Sequence, residues 1–425
     1  MSTRRWLGLI LAIALVARVA VVLLSPDYRP LFDAADYVRH AVSIGDGHGF
    51  PDSVLTPVES PSAFRPPLYP YLLGGIYAVF SEVETAGRLA GALLGVLAVW
   101  LVYLIARHVW GERTALVAAG VAAVFPGLFL LNQALVSEPL FVVAELAAVL
   151  FALRSRSAGG DLRWAAAAGL CCGLAALTRS NGILLVLPIA IGVWVLRPRL
   201  SPRALAAPAL AVAVAVLTLV PWAVRNTIVF DHLTSFNVQS GFALAGTYNE
   251  DAYDEDGYRA VWIPPRYTER YAPLYERTDL DEAELDSKLR HEAVEYAFDN
   301  PRYAVEATAL NALRMFELAD EHPIGVAANR AQLAQSKAEA RIDRIAMYAL
   351  ILVALAGVGV MARMPPDRRL PLWVWAVPLL CIVVVLPVIG STRYRTVTYP
   401  FLALAAAPAL VAAADRLGAR REPAT

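Results

Sequence analysis

The chain has 425 residues, 58% of them hydrophobic, a mean hydropathy of +0.52, and 37 basic side chains against 37 acidic ones. That apolar share exceeds what one soluble core of this length requires, so the expected fold class is all-α, a polytopic integral membrane helical bundle. The zero net charge removes the basic surface that nucleic acid would need. Cys171, Cys172 and Cys381 all lie inside apolar runs, which marks them as packed thiols rather than a disulfide framework.

Apolar segments of about 17 to 25 residues read as membrane spans. In chain order they fall near 6–24, 86–106, 114–132, 138–153, 164–178, 182–196, 204–223, 343–362, 371–389 and 397–414, which predicts ten transmembrane helices. The first run contains Arg18 and no small-x-small cleavage site follows closely, so it reads as a retained helix. Spans 164–178 and 182–196 are short and separated by Thr178-Arg179-Ser180-Asn181-Gly182, which leaves two full spans and a re-entrant pair both open.

With a cytoplasmic N-terminus every second connection should be basic. Those connections carry Arg4 and Arg5; Arg107 and Arg113; Arg154, Arg156 and Arg163; Arg197, Arg199 and Arg203; Arg363, Arg368 and Arg369; and Arg416, Arg420 and Arg421. Both termini are thereby expected in the cytoplasm, and residues 25–85 and 225–342 on the outer face of a plasma (inner) membrane. The chain divides into an N-terminal transmembrane module 1–224 that includes the first outer loop 25–85, an acidic outer connection 225–342, and C-terminal helices with a short tail, 343–425. Within the connection, Glu250-Asp251, Asp254-Glu255-Asp256 and Asp279-Leu280-Asp281-Glu282-Ala283-Glu284 are expected mainly to solvate an exposed loop. Residues 283–318 have helical composition, with Tyr296, Phe298, Tyr303 and Phe316 lying against the membrane or the bundle.

Ionisable groups near hydrocarbon are costly and mark substrate paths. On the outer face these are Asp33 and Asp36 after the first span, Glu138 at the start of the fourth, Arg179 between the fifth and sixth, Arg225 with Asn226 after the seventh, and Arg393 with Arg395 after the ninth. If residues 33–44 are helical, Asp33, Asp36, Tyr37 and His40 share one face, and Ala34, Val38, Ala41 and Val42 the other, as in an amphipathic helix lying on the membrane. The alternative role of Asp33 and Asp36 is to cap that helix, and that of Ser137 and Glu138 is to dress a helix start that Pro139 suits. Arginines at outer ends run against the positive-inside trend and point to a bound anion.

The series Asp33-Ala34-Ala35-Asp36-Tyr37, His40-Ala41, Gly45-Asp46-Gly47-His48-Gly49-Phe50 and Arg65-Pro66-Pro67-Leu68-Tyr69-Pro70 resembles the first outer loop of GT-C membrane glycosyltransferases, the superfamily of protein O-mannosyltransferases and aminoarabinose transferases. Ser137-Glu138-Pro139, Leu177-Thr178-Arg179-Ser180-Asn181-Gly182, Pro221-Trp222-Ala223-Val224-Arg225-Asn226 and Ser391-Thr392-Arg393-Tyr394-Arg395 extend the resemblance through nearly all the membrane part. The resemblance implies a sugar donor on a polyprenyl phosphate, an outward-facing site, and a lipid, glycan or protein hydroxyl as acceptor. It also implies Asp33 as catalytic base with Asp36 in support. Protein mannosyltransferases often carry adjacent acids, whereas two alanines separate them here.

A carboxylate that takes a proton from an acceptor hydroxyl contributes about 10²- to 10⁴-fold. Guanidiniums at Arg225, Arg393, Arg395 and Arg179 suit a lipid phosphate that gains charge as the sugar leaves. A single displacement then predicts inversion. Arg65, His40, Asn181, Asn226 and Tyr394 complete the candidate substrate contacts, and Glu138 either orients the acceptor or joins Asp33 on a divalent cation. A polyprenyl-lipid transporter or flippase, and a non-catalytic envelope assembly subunit, are the alternatives; neither needs a base.

Overall fold

The computed structural model describes residues 2–198, 200–253 and 259–419; Asp254-Glu255-Asp256, Arg199, Arg420 and Arg421 lie outside them. The regular elements of the described residues are all helices, with no strand beyond one isolated antiparallel bridge between Asp52 and Pro61. Five segments are long and apolar enough to cross a bilayer: Thr3–Leu23, Glu84–Trp110, Pro202–Phe230, Lys337–Met361 and Thr392–Leu417. A sixth arises if Glu112–Val124 and Pro126–Gln133, bent by 65° at Phe125, form one span.

The expected ten spans are therefore not matched one for one. Glu138–Ser157 is 20 residues long but carries Glu138, Glu145, Arg154 and Arg156. Leu162–Thr178, Ser180–Val193 and Leu372–Val383 are shorter helices or helix pairs. The bend at Phe125 has a visible cause. Pro126 cannot continue the hydrogen-bond ladder, and Arg18 supplies the donors that the broken end lacks. Its guanidinium donates to the carbonyls of Ala123 (3.1 Å), Ala122 (3.4 Å) and Ala14 (3.1 Å), with the side chain wholly buried.

Small residues let the membrane helices approach closely. A Cβ added at Gly169 would come 2.2 Å from the carbonyl oxygen of Ala211, and one at Gly173 would come 2.9 Å from that of Ala215, so Leu162–Thr178 lies directly on the backbone of Pro202–Phe230. All three cysteines are free and buried, as their apolar settings predict.

Four of the basic connections gather at one end of the bundle. Trp110 Nε1 donates to the Arg368 carbonyl (2.8 Å), His108 pairs with Ser157 (2.9 Å), Arg107 with Glu112 (2.7 Å), and Arg113 with Asp415 (2.5 Å). At the other end two further layers are built. The helix Asp33–Gly45 packs through Ala34, Tyr37 and Ala41 on Leu68–Phe80, an apolar helix of 13 residues inside the segment expected to be a loop. This corrects the helical-wheel expectation in one respect: Tyr37 belongs to the inward face with Ala34 and Ala41, and that face meets another helix.

The described residues of 240–253 and 259–315 form a second core around Phe242, Tyr248, Tyr271, Leu285, Leu289, Tyr296 and Tyr303. Tyr296 and Tyr303 are thus buried in this second core, Phe298 is exposed, and Phe316 packs against the core of the membrane helices.

Candidate active site

Three separate stretches bring charge to one point: the start of the helix Asp33–Gly45, the start of Glu138–Ser157, and the 3-10 turn Thr392–Thr398. Arg393 joins all three. Its Nη1 donates to Asp33 Oδ2 (2.8 Å), and its Nε lies 2.6 Å from Glu138 Oε1. Arg179 meets the same Glu138 oxygen at 2.7 Å and also donates to Ser137 Oγ (3.2 Å). The ring of Tyr394 lies under both cations, 5.0 Å from the Arg179 guanidinium carbon and 5.5 Å from that of Arg393.

Arg65 completes the far side, donating from Nη2 to Asp33 Oδ1 (2.8 Å) and from Nε to Asp36 Oδ2 (2.6 Å). Asp36 Oδ1 is taken by Arg39 (2.9 Å). The Arg65 guanidinium stacks over Tyr37 and Phe64, and the Tyr37 hydroxyl donates to Ser137 Oγ (3.3 Å).

Neither aspartate caps its helix. Asp33 is the first helical residue rather than the N-cap, Phe32 makes no side-chain cap, and both carboxylates turn to arginines instead. Glu138 likewise caps nothing, being 1% exposed and held between two guanidiniums. Asp33 keeps 25% of its side chain exposed and Asp36 19%, so these are the carboxylates a ligand can reach.

Burial alone would raise the Asp33 carboxyl, but the charges of Arg65 and Arg393 outweigh it and hold the group well below the usual carboxylate range. Asp36 is held low in the same way, burial being overcome by hydrogen bonds and charge from His40 and Arg65. The second core shows the opposite case. Asp286 is buried and accepts from the Gly241 (2.7 Å) and Phe242 (3.3 Å) amides, and burial pushes its carboxyl up to about 6.

Several candidate residues stand elsewhere. Arg395 points away from Asp33 and is bound by Asp343 (3.1 Å), Glu317 (2.8 Å) and Tyr399 (2.8 Å). Arg225 donates to the Ser62 carbonyl (2.9 Å) and stacks on Trp222 and Phe50. Asn226 and Asn181 each serve a backbone carbonyl, of Ser235 (3.0 Å) and Cys381 (3.4 Å). His40 shares the Asp36 side of its helix but is wholly buried, its Nδ1 2.8 Å from the Asp36 carbonyl and its ring edge-on to Phe50.

A divalent cation does not fit the donors present. Among the described residues no three His, Cys, Asp or Glu side chains gather as a cation site, and guanidiniums take both oxygens of Asp33 and of Asp36 and Oε1 of Glu138. Glu282, expected among the solvating acids, is instead wholly buried and accepts from Ser53 Oγ (2.5 Å), Ser62 Oγ (2.9 Å) and the Ala63 amide (2.7 Å). The capping pattern of Asp281 and Glu284 announces the helix start, and nothing local announces the burial of the residue between them.

Residues 64–224 match the family model described as dolichyl-phosphate-mannose-protein mannosyltransferase, a stretch that contains Arg65, Glu138 and Arg179 and stops short of Arg225. Over 153 residues the chain is 35% identical to undecaprenyl phosphate-alpha-4-amino-4-deoxy-L-arabinose arabinosyl transferase 2 of Pseudomonas fluorescens (strain Pf0-1), covering 34% of this chain and 27% of that protein. Its fold resembles the Archaeoglobus fulgidus oligosaccharyltransferase tethered with an acceptor peptide, at a TM-score of 0.54 and 17% identity over 98% of this chain and 50% of that one. The archaeal oligosaccharyltransferase AglB from the same organism, in complex with an inhibitory peptide and a dolichol-phosphate, gives 0.54 and 16% over 98% and 51%. The chain therefore spans about half the length of these solved structures.

Proposed function

We propose, on the premise that the chain belongs with the GT-C type polytopic membrane glycosyltransferases, that it transfers a sugar from a polyprenyl-phosphate carrier to a hydroxyl acceptor on the extracytoplasmic face. The observation that carries this reading is the pairing of a part-exposed carboxylate, Asp33, with two guanidiniums on opposite oxygens.

In the resting site those guanidiniums neutralise Asp33 and make it a poor base. A donor phosphate competes for the same N–H groups. Once Arg393 and Arg65 turn to the phosphate, Asp33 is left as an unpaired, part-buried carboxylate, and its affinity for a proton rises. Donor binding thus arms the base.

The acceptor oxygen then attacks the anomeric carbon while the bond from that carbon to the phosphate oxygen breaks. The hydroxyl proton passes to Asp33, and the departing lipid phosphate keeps the bonding electron pair beside Arg393 and Arg65. Arg179 adds to the field through Glu138 and Ser137. Guanidiniums in a partly dry cleft stabilise that developing charge more than they would in water. One displacement inverts the anomeric centre, with no covalent sugar–enzyme intermediate.

The test is a deletion strain complemented with wild type or with Asp33→Asn, its envelope lipids and glycans read by mass spectrometry. The expected result is one hexose or pentose restored by wild type, with Asp33→Asn lowering transfer by about 10²- to 10⁴-fold while polyprenyl phosphate still binds. Undiminished transfer by Asp33→Asn overturns the base. Restored lipid movement across vesicles with no sugar transfer supports the transporter instead, and a product that retains the donor's anomeric configuration rules out the single displacement.

A further inference from the structure

Arg65 is the side chain that meets both aspartates, yet the segment that delivers it has almost no structure of its own. Between Asp46 and Pro67 there is neither helix nor strand, only the Asp52–Pro61 bridge. What holds this segment comes from a distant part of the chain. Glu282, the first residue of the helix Glu282–Asp299, lies wholly buried against it and accepts three hydrogen bonds, two from hydroxyls 219 or more residues away in sequence terms and one from a backbone amide. Those donors are Ser53 on one limb of the bridged loop and Ser62 and Ala63 on the other. One carboxylate therefore ties the two limbs together, and it does so three residues before Arg65.

Ser62 is clamped from its other atoms as well. Its carbonyl accepts from Arg225 (2.9 Å), its amide donates to the Pro51 carbonyl (2.8 Å), and its hydroxyl accepts from the Phe64 amide (3.1 Å). Glu282 is itself fixed: the preceding Asp281 makes a capping box with Glu284 and pairs with His232 at 2.9 Å.

We propose that Glu282 is a positioning residue for the site: by tying the 52–63 loop to the outer helical unit it sets where the Arg65 guanidinium stands relative to Asp33 and Asp36. The inference rests on the functional proposal above. It connects the outer unit to the chemistry, because any shift of Glu282–Asp299 is passed through the carboxylate to Ser62 and on to Arg65. Glu282 itself touches neither aspartate. Three residues of chain span at most about 10 Å, so a displacement at Ser62 cannot be absorbed before Arg65 without bending an already tight path.

The experiment is a cycle of Glu282→Ala, Arg65→Gln and the double variant in purified protein, with Glu282→Gln as the conservative member and amide hydrogen exchange as a second readout. Glu282→Ala is expected to lower kcat/KM for the donor by about 10- to 10²-fold, the scale of a misplaced reacting group, because Arg65 both offsets Asp33 and receives the donor phosphate. Glu282→Gln, which keeps one acceptor oxygen, recovers part of that loss. In the Arg65→Gln background Glu282→Ala costs nothing further, since its effect runs through Arg65. Exchange is expected to quicken over residues 52–65 and to stay unchanged in the membrane helices. Full additivity of the two losses, or unchanged exchange over 52–65, overturns the proposal. A wild-type protein without transfer activity overturns the functional reading instead, and the exchange measurement still decides whether Glu282 fixes the loop.

Discussion

Arg393 and Arg395 are two residues apart, and only one of them reaches Asp33. In a helix of three residues per turn, side chains two positions apart point about 240° apart. The Thr392–Thr398 turn therefore sends Arg393 to Asp33 and Glu138, and Arg395 to Asp343 and Glu317. The sequence marks both arginines as outer-end charges and is silent on the turn that separates them. It also identifies Asp33, Glu138 and Arg179 through their cost near hydrocarbon, but the pairs span 360 residues in one case and 41 in another, beyond the reach of any local pattern. The pairing predicts a pH profile. Because Arg65 and Arg393 keep the free Asp33 ionised below its ordinary range, kcat/KM of wild type should show no acid limb from this group down to about pH 4. Replacing Arg393 with Gln removes one of the charges that offset burial, so the Asp33 carboxyl rises and an acid limb moves up by about 1 to 3 pH units. A profile unmoved by Arg393→Gln would show that Asp33 is not the group titrating.

At the scale of elements, the long apolar helices are legible because hydropathy over about 20 residues leaves few alternatives in a bilayer. The helix Leu68–Phe80 is not, since 13 residues with Pro70, Gly74 and Gly75 look like loop until a partner is known. That partner is the Asp33 helix. A Cβ at Gly74 would stand 2.5 Å from Ile44 Cγ2, and one at Gly45 would stand 2.4 Å from Tyr77 Cδ1, so the two helices touch through their glycines. Between the membrane helices the contact is closer still and involves backbone. The Gly169-Leu170-Cys171-Cys172-Gly173 spacing is visible in the sequence, whereas its partner strip at Ala211 and Ala215 is not. No rotamer can move a carbonyl oxygen 2.2 Å from a new Cβ, so Gly169→Ala must push the helices apart. The expected cost is about 1 to 3 kcal/mol, read as a lower thermal midpoint in detergent. Gly120, with open space around its Cβ direction, is the control, and Gly120→Ala should leave the midpoint in place. Equal midpoints for the two variants would mean that the close approach carries no stability.

The whole molecule sorts its charges into two ends, and this sorting is what the arginine count foreshadows. Arg107, Arg113 and Arg368 meet at one end, while Asp33, Arg65, Glu138 and Arg393 meet at the other. The span count is harder to read. Ser180–Val193 joins six 3-10 residues to eight α-helical ones, at most about 24 Å at about 2.0 and 1.5 Å per residue, short of a bilayer core of about 30 Å, so composition alone marks a crossing that length does not support. Sidedness is open to a direct test because the native thiols are silent: Cys171, Cys172 and Cys381 are 9%, 0% and 1% exposed, which leaves no reactive background. Single cysteines at Asp46 and Phe298, exposed on the site end, should react in intact cells with a maleimide that cannot cross the membrane. One at Asp367, exposed on the basic end, should react only after permeabilisation. Basic loops are retained in the cytoplasm because translocating them is unfavourable, so the proposed transfer requires the opposite end to label from outside. Labelling at Asp367 in intact cells, with Asp46 and Phe298 protected, would invert the molecule and with it the compartment of the proposed transfer.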